Sequence, residues 1–250
     1  MPTYKYARPC VTADTVLFYW RYPVKESLNS NPLSVLMVKR GGPPFKHCFA
    51  LPGGFVRMNE NLDDAARREL REETSLDVDY LEQLYTFGEP KRDPRARVIT
   101  VAYYALAKTP PESLKAGSDA EKAMILNIND IMSMDTDLLA FDHKMIISTA
   151  LDRLRTKIRY KPIGFNLIPE PFTMALLQTL YSDILGRQLD TRNFRRKMLS
   201  LGILKPAGKS TSMLRTGGIL TTHCGRPAEW YSFDRQVYEK KEQAGFLFEL

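Results

Sequence analysis

The 250-residue sequence predicts a mixed α/β (α+β) fold in two parts, an α/β part followed by a smaller module of helices and short strands. Three observations support this prediction. Strand-like segments up to about residue 106 surround one amphipathic helix. Proline and glycine then break the chain near residues 161–171. The positive charge also lies after residue 150, because residues 151–250 hold 17 Lys and Arg against 9 Asp and Glu. We therefore expect two domains, residues 1–160 and residues 161–250.

The N-terminal part contains four segments of strand-like composition. β-branched and aromatic residues are concentrated at residues 11–20, 33–39, 80–85 and 98–106. Polar or Pro/Gly-rich loops separate these segments, and the loop of residues 88–97 is strongly basic. We expect the four strands to join one mixed sheet that packs against the helix.

The helix predicted at residues 62–73 carries acidic side chains along its apolar face. Asn61 is a favourable N-cap for it. The apolar stripe at helical spacing is formed by Leu62, Ala65 and Ala66. Glu69 and Glu73 continue this stripe and Glu72 flanks it, whereas a solvated helix would carry its acids on the opposite face. Inward-facing carboxylates are costly unless a positive group meets them, so the pattern predicts a site for Mg²⁺ or Mn²⁺.

The chain after residue 160 predicts two short helices joined by a tight turn. Thr173 caps the first helix, which runs to about Leu185. Asp190 or Thr191 caps the second, which covers residues 192–201 and stops at a glycine. Strand-like segments follow at 203–205 and 230–233, and the loop of residues 206–227 between them would be a wing. This order is typical of a winged helix-turn-helix module that binds DNA, although a solvated charged helix would show the same charges.

The basic outer face of the second helix predicts contact with double-stranded DNA. The side chains expected in the major groove are Thr191, Arg192, Asn193, Arg195 and Arg196. The side chains expected to contact DNA from the wing are Lys205, Lys209, Arg215 and Arg226. One such module covers only a half-site, so we expect a homodimer on the operator.

The composition indicates a cytoplasmic globular protein without a membrane partner. Hydrophobic residues make up 44% and charged residues 26% of the chain. No apolar run reaches the roughly 18 residues of a membrane helix, and the N-terminus lacks the apolar core of a signal peptide. Cys10, Cys48 and Cys224 are far apart and form no CxxC pair, which argues against a disulfide framework or a zinc site.

Residues 54–76, GFVRMNENLDDAARRELREETSL, resemble the signature of Nudix hydrolases. That signature is a glycine, five residues, a glutamate, seven residues and then Arg-Glu-apolar-any-Glu-Glu-any-Gly-apolar. Only Ser75 departs from it, at the last glycine, where serine would cost about 1 kcal/mol if φ is positive. The resemblance implies an α/β/α sandwich and a structural Arg68–Glu60 pair. It also implies metal-binding or catalytic roles for Glu69, Glu72 and Glu73, with the carbonyl of Gly53 completing the metal site.

Four further segments resemble the NrtR-type Nudix-related transcriptional regulators, at residues 88–106, 140–144, 162–167 and 190–204. That resemblance implies a Nudix domain that senses a small molecule and a winged helix that binds operator DNA as a dimer. The best-known members control NAD metabolism and respond to ADP-ribose, whereas relatives respond to sugars such as arabinose. The nearly intact signature favours ADP-ribose. A sugar-responsive regulator and an ADP-ribose pyrophosphatase with a basic C-terminal domain stay open, as does residual Mg²⁺-dependent hydrolysis by a regulator.

The loops around the signature supply further candidates for ligand binding. Arginine binds phosphate through bidentate hydrogen bonds, and the candidates of this type are Arg40, Arg92, Arg95 and Arg97. Nudix enzymes also differ in the position of an additional base. Glu121, in the loop predicted at residues 116–121, is a candidate for that role.

Overall fold

The computed structural model describes residues 6–21, 32–108, 120–210 and 228–250, with only the backbone described at 120–122 and 209–210. The strands of the N-terminal part are β1 (Cys10–Trp20), β2 (Leu33–Arg40), β3 (Phe49–Ala50), β4 (Gly53–Phe55), β5 (Tyr80–Phe87), β6 (Val98–Ala107) and β7 (Ala120–Asn127). Its helices are α1 (Leu62–Thr74), α2 (Ile128–Ser133) and α3 (His143–Lys157). The four predicted strands and the predicted helix are confirmed, each to within two residues at either end.

These strands form one mixed sheet with β1 at its centre. The order is β3-β2-β1-β6-β5, with β4 also paired to β1 and β7 also paired to β2. β1 and β6 run parallel from the Cys10–Val98 pair to the Tyr19–Ala107 pair. The other pairings in this sheet are antiparallel. From its third residue onward β1 is buried on both faces, and its last five residues are all apolar.

Alternate residues of β1 divide the core into two layers. Leu17 and Tyr19 pack with Leu70 of α1 on one face of the sheet. Phe18 and Trp20 belong to the large cluster on the other face, which includes the apolar side of α3. Side chains that alternate along a strand point to opposite faces. The sheet is therefore covered by helices on both sides, as the α/β/α expectation requires.

The C-terminal part is a winged helix. Its elements are β8 (Phe172–Thr173), α4 (Met174–Leu185), α5 (Thr191–Ser200), β9 (Leu204–Ser210), β10 (Ala228–Phe233) and α6 (Arg235–Gln243). The three strands form an antiparallel sheet in the order β8-β10-β9. Thr173 caps α4 by accepting from the N–H of Leu176 at 3.2 Å, and Asp190 caps α5 by accepting from the N–H of Asn193 at 2.8 Å. Both predicted caps are confirmed.

Two features of this part differ from the sequence expectation. Strand β9 continues to Ser210, so the first five residues of the loop predicted at 206–227 are strand, and residues 211–227 lie outside the described ranges. Pro206 is tolerated there because β9 is an edge strand. Helix α6 was not predicted, because it is highly polar and buries only Tyr238. Within the described ranges, no helix combines the length and the apolar composition that a membrane span requires.

The hydrophobic core is continuous from the large sheet into the winged helix. One cluster includes Trp20 of β1, Ile147 of α3, Leu180 of α4 and Phe194 of α5. The indole N–H of Trp20 also donates to Asp183 Oδ2 of α4 at 2.8 Å. The two parts of the chain are therefore packed together through shared apolar surface and a hydrogen bond.

Candidate ligand site and nucleic-acid interface

Helix α1 begins and ends at residues whose side chains and backbone suit those positions. Asn61 Oδ1 accepts from the N–H of Asp64 at 2.9 Å. At the other end, Ser75 adopts φ 61° and ψ 25°, and its N–H donates to the carbonyl of Arg71 at 2.8 Å. The positive φ considered for Ser75 is therefore confirmed. Fixed at both ends, the helix holds its inward carboxylates against strand β4.

Strand β4 places two glycine residues, Gly53 and Gly54, close to those carboxylates. The N–H of Gly53 donates to Glu73 Oε2 at 3.1 Å. A Cβ on Gly54 would lie 2.5 Å from Glu69 Oε1, and a Cβ on Gly53 would lie 2.5 Å from the carbonyl oxygen of Ala13. Both distances are too short for a real Cβ, so only glycine permits this approach. Glu69 and Glu73 consequently lie beside the same two peptide units.

Two arginines, Arg57 and Arg68, contact the glutamates of the signature other than Glu73. Arg68 Nη2 lies 2.6 Å from Glu60 Oε1, which confirms the expected structural pair. Arg68 Nη1 also donates to Glu69 at 2.6 Å and to Glu72 at 3.0 Å. Arg57 Nη2 donates to the same Glu72 carboxylate at 3.1 Å. The hydrogen bond from Arg68 holds the pKa of Glu60 down to about 2. Glu72 is thus held by arginines in this conformation.

The two carboxylates nearest β4 are electrostatically unfavourable in their surroundings. The pKa of Glu73 is raised to about 8, chiefly by burial and also by the charges of Glu69 and Asp14, while the Gly53 N–H and Arg40 act in the opposite direction. Burial also raises the pKa of Glu69, although Arg68 opposes the shift. Desolvation disfavours the charged form of a carboxyl group. The site therefore favours the uptake of positive charge, whether a proton or a cation.

The donor chemistry of the site fits a hard divalent cation. Among the described residues, no three His, Cys, Asp or Glu side chains already converge as a metal-binding cluster. Glu69 and Glu73 lie together at Gly53 and Gly54, and Glu72 is held by Arg57 and Arg68. Carboxylate and carbonyl oxygens are the ligands that Mg²⁺ and Mn²⁺ prefer. Two of the three predicted carboxylates are therefore positioned together, and the third would have to leave its arginines to join them.

A cavity of about 1020 Å³ opens beside these carboxylates. Its charged lining comprises Asp14, Lys39, Arg40, Arg57, Arg68, Glu69, Glu72, Glu73, Arg92, Asp93 and Arg95. A volume of this size suits a nucleotide-sized ligand. The fold thus brings three of the four predicted ligand-binding arginines into one cavity with the predicted carboxylates.

Three of the four predicted arginines, all from the loop between β5 and β6, differ in how they are held. Arg92 is only 3% exposed, and its Nε and Nη2 donate to Asp142 at 2.9 and 2.6 Å. Arg95 donates to Asp93 at 3.0 and 2.7 Å, but its side chain is 44% exposed. Arg97 does not line the cavity and instead donates to a backbone carbonyl, that of Gly88, at 2.7 Å. Arg92 therefore forms a buried wall of the cavity, and Arg97 braces the base of its loop.

Other residues of the site were not among the sequence-predicted candidates. Asp14, Arg57, Phe141 and His143 all line the cavity. The Nδ1 of His143 accepts from the N–H of Leu51 at 2.9 Å, and burial lowers its pKa, so this imidazole is neutral. The sequence signal that points to Phe141 and His143 is the resemblance of residues 140–144 to the NrtR-type regulators.

The position of Glu121 differs from the sequence expectation. The residue lies in strand β7 and not in a loop. Its side chain falls outside the described part of the chain. Its suggested role as an additional base therefore stays a prediction.

Helix α5 exposes the polar face that the sequence predicted. Phe194 and Met198 are buried, and the five residues expected in the major groove are exposed. Arg196 donates to Asn193 Oδ1 at 2.9 Å within the helix. Arg195 donates to Glu229 Oε2 of β10 at 2.9 Å. Arg195 is thus tied to the wing strand, whereas Arg196 stays on the outer surface of α5.

The wing is described only in part. Lys205 is exposed on β9. The backbone of Lys209 pairs with Glu229 of β10, but its side chain lies outside the described atoms. Arg215 and Arg226 lie outside the described residues altogether.

Comparisons with known proteins match both parts of the chain. The NUDIX domain model matches residues 27–148, and the NrtR DNA-binding winged helix domain model matches residues 164–233. The ADPR responsive transcriptional repressor NtrR of Acinetobacter baylyi is 33% identical over 236 residues, which cover 94% of this chain and 86% of that protein.

Two solved structures from Shewanella oneidensis are also similar. The structure of NrtR complexed with a 27mer DNA has a TM-score of 0.72 at 30% identity and covers 95% of this chain and 97% of that one. The structure of the NUDIX domain of NrtR complexed with ADP ribose has a TM-score of 0.51 at 32% identity, and the match covers 60% of this chain and 90% of that one. The identity over nearly the whole length, and the two domain matches in the same order, show the family. The chain belongs to the NrtR family of ligand-responsive, DNA-binding transcriptional regulators, with an N-terminal Nudix domain and a C-terminal winged helix domain.

Proposed function

We propose that this protein is a transcriptional repressor that releases operator DNA when its Nudix domain binds ADP-ribose. Residues 1–160 would form the effector-binding domain and residues 161–250 the DNA-binding domain. The name of the Acinetobacter relative and the ADP ribose complex of the Shewanella NUDIX domain support this choice of effector. Control of NAD metabolism is the physiological role that we infer from it.

The observation that carries this proposal is the combination of acidic and basic groups in one cavity. Glu69, Glu72 and Glu73, with the carbonyl of Gly53, would hold Mg²⁺ or Mn²⁺. Arg40 and Arg95 would contact the phosphate oxygens. When bound, the divalent cation would neutralise charge on the pyrophosphate. A neutral sugar such as arabinose needs neither the carboxylates nor the arginines, so the lining favours a pyrophosphate ligand.

The winged helix would supply the DNA contacts. The exposed residues from Thr191 to Arg196 would enter the major groove, and Lys205, Lys209 and Arg226 would contact DNA from the wing. The Shewanella NrtR–DNA complex, which matches nearly the whole chain, supports this arrangement. We further propose that the active unit is a homodimer, because one winged helix covers only a half-site.

Residual hydrolysis of ADP-ribose is a second candidate activity. The signature carboxylates are all present, and Glu69 and Glu73 lie beside β4 in the cavity. Slow pyrophosphatase activity with Mg²⁺ is therefore expected to accompany binding, with Glu69, Glu72 and Glu73 as the catalytic residues. Measuring AMP and ribose 5-phosphate after prolonged incubation tests this, and their absence would leave a sensor that only binds.

The effector is tested by calorimetry with ADP-ribose and Mg²⁺, followed by gel shifts of operator DNA with added ADP-ribose. We expect E73Q to bind ADP-ribose more weakly, because a neutral amide replaces a charged ligand of a hard cation. E73Q should bind DNA normally without effector, since its change lies in the other domain. The matched control is E249Q, which alters an exposed glutamate outside the cavity and should behave as wild type.

The size of the effect follows from linkage between the two sites. An effector that weakens DNA binding must itself bind less tightly to the DNA complex, by the same factor. A typical coupling of about 1–3 kcal/mol corresponds to roughly 5- to 150-fold weaker DNA binding. Wild-type protein that gives no heat with ADP-ribose but binds arabinose would instead be a sugar sensor, and the proposal would be wrong.

A further inference from the structure

Phe141 projects one aromatic ring into the cavity from a segment that is fixed on both sides. The N–H of Ala140 donates to the carbonyl of Phe49 at 2.8 Å. Asp142 accepts two hydrogen bonds from the buried guanidinium of Arg92. Phe141, between these two anchored residues, lines the cavity that contains the signature carboxylates. The ring is therefore held in place by its neighbours on each side.

The backbone at this position is strained, and a second phenylalanine shares the strain. Phe141 has φ 54° and Phe45 has φ 61°. Bulky side chains rarely adopt positive φ. The two rings pack edge to face, with centroids 4.8 Å apart and an interplanar angle of 64°. Strain of this kind persists only when the surrounding structure holds it, and it is concentrated at ligand sites and active sites.

Planar cationic groups already lie over this ring. The guanidinium carbon of Arg40 lies 5.1 Å from the Phe141 centroid and that of Arg95 lies 5.6 Å from it. Arg95 also lies 5.7 Å from the ring of Phe55, another residue of the cavity wall. A purine base is planar, and stacking on an aromatic ring or on guanidinium groups is a common way for proteins to bind it. Arginines and aromatic rings thus form one wall that suits a base.

We propose that Phe141, supported by Phe45, is the stacking platform for the base of the nucleotide ligand. This inference rests on the proposed function and adds a division of roles within the same cavity. The carboxylates and arginines bind the pyrophosphate, and the Phe141 ring selects a ligand that carries a planar base. Phe141 is in this sense a specificity-determining residue, distinct from the groups that bind the phosphates.

The experiment compares three ligands on the full-length protein by calorimetry in Mg²⁺. ADP-ribose and ADP carry the base, whereas inorganic pyrophosphate does not. The first variant is F141N, because asparagine tolerates positive φ and removes only the ring. The second is F141Y, which keeps the ring. Thermal unfolding of each variant checks the fold, and F141L takes the place of F141N if F141N does not fold.

Loss of a base stack weakens binding by roughly 5- to 150-fold. We therefore expect F141N to bind ADP-ribose and ADP more weakly by such a factor. Its affinity for pyrophosphate should fall by a clearly smaller factor, because that ligand is affected only through the contacts of the ring with Arg40 and Arg95. F141Y should bind all three ligands as wild type does. F45N should show a smaller loss for the two base-containing ligands, because it removes only the support.

Several outcomes would overturn the inference. If F141N binds ADP-ribose as tightly as wild type, the ring does not bind the base, although the proposed function stands. If the affinity of F141N for pyrophosphate falls by the same factor as its affinity for ADP-ribose, the ring only maintains the shape of the cavity. If ADP-ribose is weakened but ADP is not, the ring contacts the terminal ribose and not the base. Wild-type protein that binds neither ADP-ribose nor ADP would refute the proposed function and this inference together.

Discussion

Replacement of Ser75 by glycine should stabilise the folded protein. Ser75 ends helix α1 with φ 61° and ψ 25°, in the left-handed region. An L-residue with a Cβ costs roughly 1–2 kcal/mol in that conformation. Glycine removes this cost, but its greater freedom in the unfolded chain lowers the free energy of unfolding by about 0.5–1 kcal/mol. The net expectation for S75G is a gain of about 0.5–1 kcal/mol in the free energy of unfolding.

The assay is urea denaturation and thermal unfolding of the full-length chain. S75G should raise the urea midpoint without changing the slope, because the surface exposed on unfolding stays the same. For a protein of this size, the expected rise in the thermal midpoint is about 1–4 °C. S75A is the matched control, because alanine removes the hydroxyl and keeps the Cβ that causes the strain. It should therefore show no comparable gain.

The reasoning would be refuted if S75G were no more stable than S75A. Equal stabilisation by both variants would instead implicate the serine hydroxyl and not the Cβ. Ser75 does not line the cavity, so the affinity of S75G for ADP-ribose should match that of wild type.

Three further predictions concern DNA contacts, assembly and pH. R192A/R196A should lose operator binding in gel shifts with an unchanged circular dichroism spectrum, while R71A, on the exposed side of α1, should bind normally. Wild-type affinity should fall steeply with salt, and a double variant that binds like wild type would disprove the recognition-helix assignment. Sedimentation should show that the protein is a dimer both without DNA and when bound to an inverted-repeat operator. A monomer that binds one DNA site one-to-one would contradict this prediction. Burial lowers the pKa of His143, and the charged groups that face it are Asp14, Asp142, Arg92 and Arg40. Near pH 6.5 this histidine is therefore protonated in the unfolded chain but not in the folded protein. Its contribution to stability is therefore full above about pH 6.5 and is lost as the pH falls below that value. H143N, which keeps an acceptor for the Leu51 N–H, should show a flatter pH dependence of unfolding there, and identical curves for the two proteins would refute the role of His143.

Local patterns were sufficient to predict the parts of the molecule that depend on neighbouring residues. The spacing of Leu62, Ala65 and Ala66 gave the inward face of α1 and placed Glu69 and Glu73 on it. The caps Thr173 and Asp190 followed from side chains that bond to nearby N–H groups. Such features are set within one turn of helix, so one sequence contains the required information.

The features that were missed depend on residues distant in sequence. Arg92 and Asp142 are 50 positions apart, and only the fold brings them together in the cavity wall. The same holds for the arginines over Phe141, since Arg40 is at the end of strand β2 and Arg95 lies in the loop between β5 and β6. Helix α6 was missed for another reason, because nearly all of its residues are polar and only Tyr238 marks its buried side.

The continuity of the core from β1 to α4 and α5 has a practical consequence for engineering. Joining this winged helix to a different sensor at residue 160 would uncover the apolar residues of α4 and α5 that share a cluster with Trp20 and α3, and it would leave Asp183 without the Trp20 indole. An uncovered surface of that kind promotes aggregation. Functional chimaeras would therefore have to transplant α3 and the facing residues of β1 along with the winged helix. For the same reason, the intact chain should melt in a single cooperative transition and not in two.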